Sequence, residues 1–276
     1  MIDKIVDNIK TLIIALVIAI IIRSLFFQPF YIPSSSMEPT LLVGDRIFVS
    51  KYTYGFSKHS FPFSLPIFNG RILFNKPKRG DAIVFKTPYK GDDIFPINLL
   101  CKILTTCKTD YIKRLIGLPG DEIKFINGDL FINGQQVFRI KINHDSSEKI
   151  NCGSTECIYF SEKLPNGVIF KTSYMNSLNT ITRPWFINGV GEETYNVPED
   201  HYFFLGDNRN NSADSRYSIK GTDYERYHGV GYVHKNNLIG KAKIIFFSND
   251  TKKGSVLKFW NWKNSIRINR FFKKLK

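Results

Sequence analysis

Ile123-Lys124-Phe125-Ile126-Asn127-Gly128-Asp129-Leu130-Phe131-Ile132-Asn133-Gly134-Gln135-Gln136-Val137 is the stretch that decides the fold class of this chain. Its two Asn-Gly pairs separate short runs in which apolar and polar residues alternate. Asn and Gly tolerate positive φ, which the tight turns of right-twisted hairpins require, so the spacing predicts a three-stranded meander. Working outward, Ala82–Lys86, Tyr111–Gly117 and Tyr202–Leu205 read as short buried strands. Leu41–Val49 reads as strand, Gly44-Asp45 turn, strand. Helical periodicity is scarce beyond the N-terminal segment, so the expected fold class is mainly β.

Thr11–Ile22 (TLIIALVIAIII) carries no charge, and Leu25-Phe26-Phe27 extends it beyond Arg23 and Ser24. A membrane span needs ~20 residues, which the run reaches if Arg23 snorkels to the interface. Its length alone also suits a signal peptide. However, bulky Gln28-Pro29-Phe30-Tyr31-Ile32-Pro33 follows in place of a small-residue cleavage site. The expectation is an uncleaved anchor over 11–27 behind a short tail at 1–10. Residues 28–142 and 199–250 would then form the core, 143–198 an inserted β-rich subdomain, and 251–276 a basic tail ending Phe271-Phe272-Lys273-Lys274-Leu275-Lys276. Thr53–Pro77 reads as a long loop whose aromatics (Tyr54, Phe56, Phe61, Phe63, Phe68) either pack on the core or face a membrane.

The chain has 276 residues and a formal charge of +15. Such a surplus suits nucleic acid, anionic lipid or a merely solvated surface. No zinc-finger, helix-turn-helix or RNP-type motif is present, so nucleic acid is not an expected partner. Lys4 and Lys10 are offset by Asp3 and Asp7 before the apolar run, while Arg23, Arg46 and Lys51 follow it. The positive-inside rule therefore does not orient the chain.

Ser36 lies in Ile32-Pro33-Ser34-Ser35-Ser36-Met37-Glu38-Pro39-Thr40-Leu41, and Lys113 in Tyr111-Ile112-Lys113-Arg114-Leu115-Ile116-Gly117-Leu118-Pro119-Gly120-Asp121. With Lys78-Arg79-Gly80-Asp81-Ala82-Ile83-Val84-Phe85 and Gly206-Asp207-Asn208-Arg209-Asn210-Asn211-Ser212-Ala213-Asp214-Ser215-Arg216, they form an ordered set. The set resembles the motifs of bacterial type I signal peptidases. The resemblance spans Phe30 to Asp250 and weakens between Asn143 and Tyr195.

The resemblance implies a signal-peptidase-like β catalytic domain carrying Ser36 as nucleophile and Lys113 as base. A serine hydroxyl needs a base to take its proton, and lysine serves only when neutral. Burial can bring its pKa from ~10.4 to ~5–6. By the same resemblance, the Ser36 N–H and the Ser34 hydroxyl form the oxyanion hole. Ser212 orients the lysine amine, and Asp214 with Arg216 forms a supporting ion pair. Asn210 stands where the family more often has Asp, a departure that bears on a local hydrogen bond. Ile32, Pro33, Met37 and Ile112 match positions that line pockets for small side chains. No metal or cofactor is implied. The implied partners are preproteins bearing signal peptides and membrane lipid, anionic lipid included. The implied location is the bacterial inner membrane, single-pass, with the catalytic domain on the periplasmic face.

None of His59, His144, His201, His228 and His234 occupies the position of Lys113, so a histidine base is not expected. A self-cleaving repressor shares Ser/Lys chemistry but carries DNA-binding helices at its N-terminus, where this chain has an apolar run. A catalytically silent membrane-surface protein would be expected to lose Ser36, Lys113 or Ser212, and all are present. In an exported domain the cysteines could pair locally as Cys101/Cys107 and Cys152/Cys157, although four cysteines allow three connectivities and could also stay reduced. Neither spacing suits zinc.

Overall fold

Asp3 in the first turn and Arg23 in the last complement the dipole of helix α1 (Ile2–Leu25). The computed structural model describes residues 2–61, 64, 68–87, 110–143, 150, 156–176, 192–217, 229–254, 260 and 262–275. The most apolar 18-residue window within Asp3–Leu25 has a mean hydropathy of 2.4 and none of it is buried, although Ser24 on the last turn is. From Leu12 to Ile22 every residue is apolar and exposed, which fits a single membrane anchor. The helix begins at Ile2, taking in the residues expected as a tail, because nothing there breaks a helix. It ends at Leu25, short of the expected Phe27, because the chain is then drawn into sheet pairing: the Lys51 N–H donates to the Phe26 carbonyl at 2.9 Å.

Strands of four or more residues are numbered in chain order: β1 (Phe27–Tyr31), β2 (Asp45–Ser50), β3 (Ala82–Lys86), β4 (Asp110–Gly117), β5 (Glu122–Ile126), β6 (Asp129–Ile132), β7 (Phe138–Ile142), β8 (Cys157–Lys163), β9 (Ile169–Met175), β10 (Glu192–Asn196), β11 (His201–Leu205) and β12 (Leu238–Ser248). An eight-stranded sheet runs β1-β2-β12-β3-β4-β11 and on to the short strand Val233–His234, with Lys273–Lys274 added beside β12. The described residues are mainly β. One apolar cluster joins Ile32, Met37, Val49, Val84 and Ile245 inside this sheet. A second joins Ile116, Phe125, Phe170, Val197 and Leu205 beneath it.

The Asn-Gly meander forms as its spacing requires. β5, β6 and Gln135–Gln136 pair antiparallel. Both turns put both central residues at positive φ: Asn127 at 49° and Gly128 at 85°, Asn133 at 50° and Gly134 at 77°. The double alternation thus buries Ile123, Phe125, Leu130 and Ile132 on one face.

Other expectations differ from what is built. Leu41–Val43 is not a strand. Its hydrogen bonds go into turns, with the Leu41 N–H on the Met37 carbonyl at 2.9 Å and the Asp45 N–H on that of Leu42 at 3.0 Å. The stretch 143–198, expected as an inserted subdomain, divides in space. β8 and β9 extend β7 into a three-stranded sheet, whereas β10 joins the meander through β5. Within 251–276, expected as a basic tail, Arg270 is 1 % exposed and grips Asp45. In the Thr53–Pro77 loop, Tyr54 is a core residue whose hydroxyl donates to Asp81 at 2.7 Å. Phe63 lies outside the described residues.

A Cβ at Gly134 would meet no atom within 4 Å, so its backbone angle alone sets the cost of a substitution. Gly134→Ala is expected to destabilise the fold by about 1–2 kcal/mol, the cost of a left-handed L-residue. Urea unfolding of the two proteins measures it.

Candidate active site

Pro33 holds the chain extended into Ser34 (φ −123°, ψ 156°), which starts a single 3-10 turn, Ser35–Met37. Three residues per turn send successive side chains in different directions. Met37 is accordingly fully buried, and Ser36 is 8 % exposed at the edge of a groove. The Gly206–Arg216 loop clamps this turn from behind. The Asn208 N–H donates to the Ser36 carbonyl at 3.1 Å. The Asn208 side-chain amide donates to the Ser35 carbonyl at 3.2 Å, and that of Asn211 to Ser35 Oγ at 2.8 Å.

Lys113 lies on β4 at 2 % exposure, with its Nζ 2.5 Å from Ser36 Oγ. Burial pushes its amine down to about 8, with Asp214 and Asp207 opposing and Arg216 reinforcing that shift. The Tyr111 ring centroid lies 5.5 Å from Nζ. The sheet thus brings together two side chains that are 77 positions apart in the chain.

Fixed charges surround the pair. Arg216 grips Asp214 through Nε at 2.8 Å and Nη2 at 2.7 Å, while the Gly206 N–H donates to the same carboxylate at 3.0 Å. Burial alone would raise the Asp214 carboxyl, but Arg216 and these hydrogen bonds hold it below its ordinary value. Arg114 makes a two-pronged pair with Asp207, at 2.7 and 2.6 Å. Arg209 meets Glu162 at 2.5 Å, and the Thr172 and Tyr174 hydroxyls donate to that carboxylate. Asn210 Oδ1 accepts from the Met175 N–H at 3.0 Å, which gives that departure from the family pattern a place on β9.

Ser34 Oγ is 3.4 Å from Ser36 Oγ, on the groove side. Ser212 does not form the expected bond to the lysine amine. Its hydroxyl is buried with no hydrogen-bond partner among the described residues, and Lys113 contacts Ser36 instead. The groove, of about 510 Å³, runs between Phe30–Ser36 and Asp110–Lys113, and Ile32, Pro33 and Ile112 line it. Met37 does not line it, since its side chain belongs to the core. β1 and β4 face each other across the groove although β2, β12 and β3 separate them, so the sheet curls. β11 pairs with β4 only from Arg114 onward, and among the described residues no strand pairs with Asp110–Lys113 on that side.

The sequence reading did not single out Asn208, Asn211, Thr40 or Glu162. Asn208 and Asn211 sit inside the quoted Gly206 motif, where main-chain amides and side-chain amides suited to holding a turn could have marked them. Glu162 offered no local signal. Among the described residues, no group of His, Cys, Asp or Glu is suited to hold a metal. Cys157 is disulfide-bonded. Cys101, Cys107 and Cys152 lie outside the described residues.

A model of the family described as signal peptidase, peptidase S26, matches residues 5–247. Signal peptidase I of Rickettsia bellii (strain OSU 85-389) is 36 % identical over 277 residues, which cover 96 % of this chain and 84 % of that protein. The signal peptidase I of Rickettsia massiliae (strain Mtu5) is 36 % identical over 264 residues, 92 % of this chain and 86 % of its own length. A crystal structure of a signal peptidase I from Enterococcus faecalis V583 matches with a TM-score of 0.28 and 26 % identity, over 60 % of this chain and 97 % of that one. These matches make the chain a serine endopeptidase, and its N-terminal apolar helix fits a membrane anchor. The chain belongs to the signal peptidase family, peptidase S26.

Gly206 packs against the back of the Ser36 turn. A Cβ there would lie 2.1 Å from Ser212 Oγ and 2.5 Å from the Ser36 carbonyl oxygen. Gly206→Ala is therefore expected to displace Ser36 and lower kcat by about 100-fold. Peptide-cleavage kinetics on protein with an unchanged circular dichroism spectrum measures the loss.

Proposed function

We propose that this enzyme removes N-terminal signal peptides from exported preproteins, with Ser36 as nucleophile and Lys113 as general base. The observation that carries the reading is the 2.5 Å contact between a buried lysine amine and a serine hydroxyl at the head of an open groove. With its amine neutral, Lys113 accepts the Ser36 proton as Oγ attacks the scissile carbonyl. The Ser36 N–H and the Ser34 hydroxyl face the oxyanion that develops. The lysine ammonium then protonates the departing amine, leaving an acyl-enzyme on Ser36. A water molecule, deprotonated by the same amine, releases the acyl group.

Ser212 stands behind the dyad, ready to receive the amine when it turns from Ser36. Arg216 and the Gly206 N–H hold the Asp214 carboxylate in place beside the dyad. The open edge of β4 at Asp110–Lys113 suits an extended peptide added as a strand, with main-chain hydrogen bonds for affinity. The apolar walls at Ile32, Pro33 and Ile112 favour small side chains next to the cut, in an Ala-x-Ala-like pattern. The anchor helix would hold this groove at the periplasmic face of the inner membrane, against a lipid surface that suits the +15 charge.

Ser36→Ala is expected to lower preprotein cleavage on the order of 10⁴-fold while the unfolding midpoint stays in place. Lys113→Arg, which keeps the charge but cannot lose its proton, is expected to match that loss. A gel-shift cleavage assay on one preprotein tests both, and either variant retaining most of the rate would end the dyad assignment.

The pH dependence follows from the depressed amine. Below about 8 most of Lys113 is protonated and inactive as a base, so kcat is expected to rise about tenfold per pH unit. Above that value it should level off. A rate profile flat from pH 5 to about 9 would exclude a lysine base.

A further inference from the structure

Arg23 and Ser24, on the last turn of α1, open onto a second cavity of about 270 Å³ whose walls include Lys51, His59, Lys86 and Asp110. Its charges do not cancel. Lys86 pairs with Asp110 at 2.8 Å, whereas Arg23 and Lys51 make no ion pair among the described residues. Lys51 is 3 % exposed, and its ammonium donates to the Ser60 carbonyl at 2.7 Å and to that of His59 at 3.4 Å. An ammonium has three donors, so one remains for an occupant of the cavity.

Ser24 gives an independent sign. It is 4 % exposed and lines the same cavity, and its hydroxyl is buried with no hydrogen-bond partner among the described residues. A buried hydroxyl left in that state is unfavourable, and an acceptor placed in the cavity relieves it. Burial, with repulsion from Arg23, also pushes the Lys51 amine down to about 8. A bound anion would favour its charged form again.

We propose that this cavity binds the phosphate group of an anionic phospholipid. Phosphate oxygens are acceptors only, which matches a hydroxyl, an ammonium and a guanidinium converging on one space. Arg23 belongs to the last turn of the membrane helix, and the neighbouring Phe26 is 49 % exposed, so the cavity opens at headgroup depth. A zwitterionic headgroup would bring its own cation to two uncompensated ones, so an anionic lipid is preferred. Asp110 lines both this cavity and the Ser36 groove. An occupied cavity thus fixes the groove relative to the bilayer surface, whichever residues perform the cleavage.

The test uses the full chain in mild detergent, titrated separately with phosphatidylglycerol, phosphatidylcholine and inorganic phosphate, with bound molecules counted by native mass spectrometry. Phosphatidylglycerol is expected to bind about tenfold or more tighter than phosphatidylcholine. Lys51→Met and Arg23→Gln should each weaken it about tenfold, and Lys51→Arg should restore most of the binding. Arg23 is exposed on a helix turn, so its variant keeps the test open if Lys51→Met fails to fold. Equal affinity for both lipids, or variants that bind phosphatidylglycerol as the parent does, would overturn the proposal. Displacement of phosphatidylglycerol by an equal concentration of inorganic phosphate would reassign the cavity to a soluble anion and overturn the lipid site.

Discussion

The burial of one amine organises this protein. Lys113 is 2 % exposed in a setting that disfavours its charge, and Ser36 Oγ sits within hydrogen-bond distance of it. Water cannot share the cost of charging that amine, so the groups around it decide its state. The Arg216–Asp214 and Arg114–Asp207 pairs are buried beside it. Lysine is the member of this cluster that can yield. Buried ion pairs are poor evidence of stability, because desolvation offsets their attraction. Their geometric roles differ: Arg114–Asp207 ties β4 to the Gly206–Arg216 loop, whereas Arg216–Asp214 closes that loop on itself.

The bracing comes from parts of the chain remote from Ser36. β9 meets the Gly206–Arg216 loop through a parallel bridge between Ser173 and Asn208, and Ser173 Oγ donates to the Glu38 carbonyl at 3.0 Å. Glu162 on β8 receives Arg209. The chain's last turns close the other side, where Arg270 pairs with Asp45 at 2.7 Å and donates to the Thr40 carbonyl at 3.0 Å. The loop after Ser36 is thereby held from both ends. A 2.5 Å contact between Lys113 and Ser36 needs such support, since side chains on a short turn would otherwise sample looser geometries.

The same curl of the sheet that buries Lys113 leaves an edge open beside it. Phe30–Ser36 and Asp110–Lys113 run along opposite walls of one groove, and the β11 partner begins only at Arg114. An unpaired strand edge invites pairing with another chain. Here that liability is placed beside Ser36 and Lys113. The apolar helix leaves the same region through Phe26 and β1, so the groove, the anchor and the basic cavity share one side of the molecule.

Much of this was legible locally. The Asn-Gly turns set the meander because their φ requirement is a property of those residues alone, and the apolar N-terminal run defined its helix by composition. Ser36, Lys113 and Asp214 stood out because their flanking motifs are contiguous in the chain. Other features were not legible, for physical reasons. Leu41–Val43 looked like a strand by apolarity, but its hydrogen bonds went to turns anchored by Met37 and Asp45. Met37 looked like a groove residue until the 3-10 turn rotated it into the core. Glu162 and Arg270 carry no local mark, because burial and pairing arise only when strands distant in sequence meet. The sequence by itself determined the turns, the anchor and the chemical groups available. The tertiary structure decided which groups face each other and how dry they are, because desolvation belongs to the packed assembly and not to any stretch of chain.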